Sequence, residues 1–186
     1  KKVANPYLWQ VAAGYVSSFR NEFNEARTFL SKAEKMADNP AKKAQVRLIS
    51  LLNEVAALER ITPQAEQKLL KDLPWLWEYK APEGQEALRS GYALVFIGKS
   101  LSMLYKAENN PIMAELTYSV KGYYRKEEQT AAMEQFLQKK DKTPWETFWA
   151  KKYQYTLNDI YESKAIYAFY EDQITEAIAL MKKTPQ

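Results

Sequence analysis

The chain of 186 residues contains no cysteine and no histidine. Without cysteine there is no disulfide, no thiolate nucleophile and no cysteine-ligated metal site. Without histidine the chain lacks the usual general base near neutral pH and the imidazole ligand of zinc, copper and haem. These two absences exclude much of enzyme chemistry, so we expect a non-enzymatic protein without metal or cofactor.

Glycine and long apolar runs are also scarce. The five glycines, at positions 14, 84, 91, 98 and 122, are dispersed and form no glycine-rich phosphate loop. No window reaches the ~18–20 consecutive apolar residues of a membrane span. Lys1 and Lys2 lead into an amphipathic pattern rather than the apolar core of a signal peptide. We therefore predict no membrane span, and we interpret the chain as an excised or processed piece of a longer protein.

The net charge of +4 raises the question of a nucleic-acid partner. Lysine pairs at 42–43, 139–140, 151–152 and 182–183 are interleaved with Asp and Glu, near predicted helix ends. A cation in the last turn of a helix is favoured by the helix dipole without any partner. We interpret these lysines as solvated helix ends and faces, and we expect no nucleic acid.

Apolar residues recur with helical spacing, and no stretch shows the two-residue alternation of a strand. Pairs such as Asn5-Pro6 and Thr143-Pro144 combine a cap with a first-turn proline and mark helix starts. Thr156 and Asp159 have the spacing of a capping box, which predicts that the last long helix begins near Leu157. We predict an all-α fold of about nine or ten helices without a sheet.

Local patterns suggest further features of this fold. Residues 83–107 are predicted to form a long helix whose middle is apolar nearly all round, which is typical of a central, buried helix. Pro74 is expected to end a helix and to leave Trp75-Leu76-Trp77 as an aromatic connection. Paired carboxylates such as Glu54 and Glu59 lie on polar helix faces beside cations, so we interpret them as solvated groups rather than catalysts.

A helix-turn-helix pattern recurs three times, in GYVSSFRNEFNEARTFLSKAEK, LSMLYKAENNPIMAELTYSVKGYY and YESKAIYAFYEDQITEAIALMKK. Small and large residues stand at matched offsets in the three segments. These residues are Gly14, Phe23, Ala26, Leu30 and Ala33; Leu101, Ser102, Tyr105, Ala114 and Tyr118; and Tyr161, Ala165, Ile174, Ala177 and Met181. In these positions the chain resembles the tetratricopeptide repeat family, whose helix pairs of about 34 residues carry small residues where the helices cross.

The resemblance implies one domain over residues 1–186, with antiparallel helix pairs stacked in a right-handed superhelix. The expected pairs are 5–38, 41–80, 83–123, 126–155 and 157–183. It also implies a concave groove, lined by the first helix of each pair, that holds a protein or peptide partner or neighbouring repeats of the parent chain. The residues carried over to this groove are Tyr15, Phe19, Lys99, Lys106, Glu162, Phe169 and Tyr170. Similar arrays occur in large bacterial envelope proteins, so the cell envelope or secretion is the expected location of the parent.

Three alternatives stay open. Each aromatic residue of the expected groove could instead belong to the core. Exposed Trp and Tyr side chains could stack on sugars in a ligand-binding or carbohydrate-binding module. The chain could also be a purely structural spacer within its parent, which apolar surface left open at either terminal pair would favour.

Overall fold

The computed structural model describes residues 5–79, 90–118 and 127–184. Within these ranges all regular structure is helical and no strand occurs, so the all-α prediction is confirmed. The helices of the described ranges are α1 (Pro6–Phe19), α2 (Phe23–Met36), α3 (Pro40–Ala56), α4 (Pro63–Leu69), α5 (Leu73–Glu78), α6 (Ser90–Ala107), α7 (Pro111–Thr117), α8 (Glu127–Gln138), α9 (Pro144–Tyr170) and α10 (Ile174–Met181).

Several helices share one start signal. An Asn or Thr side chain accepts a hydrogen bond from a backbone N–H of the first turn. The next residue is proline, which breaks no hydrogen bond at this position because N–H groups of the first turn have no acceptor within the helix. The capping residues of this kind are Asn5, Asn39, Thr62, Asn110 and Thr143. At Thr143 the cap is reciprocal, because the Glu146 carboxylate accepts the Thr143 N–H at 2.7 Å.

Helix α9 runs without interruption over 27 residues. The prediction of a new helix near Leu157, and with it the boundary between pairs 126–155 and 157–183, is therefore wrong. Thr156 and Asp159 lie inside α9 because one apolar face continues past them, with every fourth residue buried. These residues are Trp145, Trp149, Tyr153, Leu157, Tyr161 and Ala165.

Two other segments differ from prediction. Pro74 does not end a helix but lies in the first turn of α5, so Trp75-Leu76-Trp77 is helical. Helix α6 is not buried all round, because Phe96 and Met103 are 58% and 64% exposed while Ile97 is fully buried. The predicted start of this helix at residue 83 lies outside the described residues.

The chain divides into two compact units, Lys1–Leu104 and Tyr105–Gln186. In the first unit α1, α2 and α3 pack together around Tyr7, Val11, Ala33, Ala37 and Val46. Helix α3 crosses the α1–α2 hairpin, and its N-terminal end is held by the Tyr7 hydroxyl, which donates to the Lys42 carbonyl at 3.0 Å.

In the second unit the core is aromatic. Trp145, Trp149 and Tyr153 of α9 are at most 2% exposed, and the two indoles meet edge to face with centroids 5.7 Å apart. The Trp145 N–H donates to the Tyr105 hydroxyl at 2.6 Å, so this buried polar atom is satisfied. Helix α10 folds back on the C-terminal part of α9.

Candidate interaction surfaces

The turns α1–α2, α6–α7 and α9–α10 have the same backbone conformation. One residue in each adopts a left-handed φ, namely Asn21 (63°), Asn109 (56°) and Asp172 (57°). The next N–H donates to the carbonyl five residues earlier. These bonds run from Glu22 to Ser17, from Asn110 to Tyr105 and from Gln173 to Ala168, each at 2.8 Å. Asn and Asp tolerate the left-handed conformation better than other side chains, which explains why they occupy these positions.

The same three hairpins share a burial pattern when they are aligned on the left-handed residue. Seven positions earlier stands a buried small residue: Gly14, Ser102 or Ala165. Five positions later stands a buried alanine: Ala26, Ala114 or Ala177. Small buried residues on facing helices let the two helices of a pair approach closely. The turn and the burial pattern therefore agree on a common register for these three segments.

The exposed face of α1 carries the first two residues of the expected groove. Tyr15 is 54% exposed and Phe19 is 83% exposed, so neither belongs to the core. They lie on a continuous apolar surface of α1, which we name the α1 stripe. Its members are Leu8, Ala12, Tyr15, Val16 and Phe19. The spacing i, i+4, i+7, i+8, i+11 keeps them on one side of the helix.

A groove between α9 and α10 carries two more of the expected residues. Its volume is about 1000 Å³, and its apolar lining includes Ile166, Phe169, Tyr170, Ile174, Ile178 and Met181. We name it the α9–α10 groove. Phe169 and Tyr170 are 61% and 77% exposed, and their rings meet edge to face with centroids 6.3 Å apart. The structure therefore brings these two aromatic residues together at one surface.

The remaining expected residues are exposed but line neither surface. Lys99 and Lys106 lie on α6, and the Lys106 ammonium stands 5.2 Å from the centre of the Tyr118 ring. Glu162 is exposed on α9, one turn before the residues that line the α9–α10 groove.

The tryptophans differ in how far they are buried. Trp145 and Trp149 are core residues, and Trp75 is covered by the Arg47 guanidinium at 4.2 Å from its ring centre. Trp9 is 49% exposed and meets Phe29 edge to face. Packing therefore accounts for Trp75, Trp145 and Trp149.

Glu54, a carboxylate of the first unit, belongs to an ion-pair network. Arg27 and Lys68 bind its two oxygens at 2.9 and 2.5 Å. Burial opposes its ionisation, but the hydrogen bonds from Arg27 and Lys68 outweigh it and hold the pKa of Glu54 below its ordinary value. A carboxylic acid that acts as a general acid needs a raised pKa, whereas the pKa of Glu54 is lowered.

Tyr161 and Lys183 join α8, α9 and the end of α10. The Tyr161 hydroxyl donates to the Glu134 carboxylate, and burial together with that carboxylate raises the pKa of Tyr161. Lys183 pairs with Glu134 at 3.7 Å and stands over the Tyr161 ring. These contacts anchor the C-terminal end of α10 beside the α9–α10 groove.

The sequence analysis did not predict that apolar residues of α10 line an open surface. Ile174, Ile178 and Met181 have helical spacing, and the resemblance assigns second-helix residues to packing between helices. The α9–α10 groove leaves them 46%, 51% and 50% exposed. Their spacing was visible in the sequence, but their exposure was not.

No group of three or more His, Cys, Asp or Glu residues is arranged to hold a metal ion in residues 5–79, 90–118 and 127–184. Across the same ranges, none of the helices has the length and hydropathy needed to cross a bilayer. Known family models, curated proteins and solved structures include none with significant similarity to this chain.

Proposed function

We propose that the chain is a non-enzymatic, tetratricopeptide-like interaction domain that binds a protein partner through exposed apolar helix faces. The observation that carries this proposal is the α1 stripe, on which Tyr15 and Phe19 are 54% and 83% exposed. Large apolar side chains clustered on one face of a folded protein mark an interaction site, whereas single exposed ones do not.

The common register of the three hairpins supports the repeat interpretation. Buried small residues at two matched positions, and a left-handed Asn or Asp at a third, are what paired helices of a repeat protein require. Tyr and Trp are favoured at protein interfaces because they bury a large area at low entropic cost. The α9–α10 groove would provide a second surface of the same apolar character.

The test uses the purified chain as bait in an extract of the source organism, with quantitative mass spectrometry of retained proteins. We expect the double variant Tyr15→Ser/Phe19→Ser to reduce capture of a reproducible partner by about tenfold or more, because aromatic contacts dominate interface energies. The variant Lys99→Ser/Lys106→Ser measures the contribution of the two lysines that the resemblance assigns to the groove. Met36→Ser is the matched control, since Met36 is an exposed apolar residue of α2 outside both surfaces.

Circular dichroism must give the same helical spectrum for all variants, so that a lost partner is not a lost fold. Equal capture by the wild type and the aromatic double variant would contradict a binding role for the α1 stripe. Loss of capture in the Met36→Ser control would indicate nonspecific adhesion instead of a defined site.

A further inference from the structure

We draw no further inference here: the strongest candidate, the α9–α10 groove with its exposed Phe169, Ile178 and Met181, is an unpartnered apolar face, and nothing in the part of the chain that the structure describes shows what covers it.

Discussion

At Gly14 the packing of the first hairpin leaves no room for a side chain. A Cβ atom added at this position would lie 2.7 Å from Cγ and 2.9 Å from Cδ2 of Leu30. Leu30 is 2% exposed, so its side chain has little room to move away. The close approach of α1 and α2 therefore depends on the missing side chain of Gly14.

We expect Gly14→Ala to lower the free energy of unfolding by about 1–2 kcal/mol. Overpacking costs about 1–3 kcal/mol, and the better helix propensity of alanine returns part of that cost. Urea unfolding followed by circular dichroism measures the difference.

The Leu30→Ala background is the control for this mechanism, because it removes both Leu30 atoms that the new methyl group would meet. There, Gly14→Ala should be neutral or stabilising, and the difference between backgrounds is the coupling energy of the pair. An equal loss of stability in both backgrounds would mean that the contact with Leu30 is not the cause.

At the scale of elements, Glu54 joins three helices of the first unit. It lies on α3, and its carboxylate pairs with Arg27 of α2 and Lys68 of α4. Because its pKa is lowered on folding, its contribution to stability is present above the ordinary pKa of 4.5. That contribution is lost as the pH falls through the lower pKa of the folded state.

We therefore expect Glu54→Gln to destabilise the protein by about 1 kcal/mol at neutral pH, the sum of two partly exposed ion pairs. The difference from the wild type should shrink as the pH falls below 4.5, because the wild-type carboxyl becomes neutral as well. Urea unfolding at a series of pH values measures it. Glu59→Gln, at an exposed carboxylate nearby, is the control, and a pH-independent difference would contradict the ion-pair explanation.

Some helix boundaries are set by the local sequence and others by packing between distant residues. The starts of α1 and α9 were predictable because a cap and a proline act within one turn of the helix. The continuation of α9 through Thr156 was not, because it depends on a buried face from Trp145 to Ala165 that only the folded chain provides. Thr156 and Asp159 have the spacing of a capping box, but no helix begins at this point.

At the scale of the whole molecule, some of the cations behind the net charge of +4 form local ion pairs. Arg47 pairs with Asp72 at 2.6 Å, and Lys42 pairs with Asp38 at 2.9 Å. One lysine differs from the expectation of solvated pairs: Lys152 is 6% exposed, with its ammonium 5.4 Å from the Trp149 ring centre. Its aliphatic stem and ring contact suit a side chain that packs along an apolar helix face.

We accordingly expect no measurable binding of duplex DNA or single-stranded RNA at physiological salt. Phosphate binding requires several cations on one surface whose counterions are released together, and the lysines of this chain are scattered along it among Asp and Glu. Fluorescence anisotropy with labelled oligonucleotides, repeated at low and physiological salt, measures this. Binding that persists at physiological salt with a steep salt dependence would contradict it.

The sequence by itself determined the helical class of the described residues and the helix starts that a cap and a proline mark. Helix caps and prolines act over a few residues, as do the left-handed residues Asn21, Asn109 and Asp172. Their effects therefore depend on the local sequence alone. Only the tertiary structure decided which apolar faces are covered. Leu30 and Met181 occupy the same place in the register, yet Leu30 is 2% exposed and Met181 is 50% exposed, because burial depends on which side chains of other helices pack against a residue.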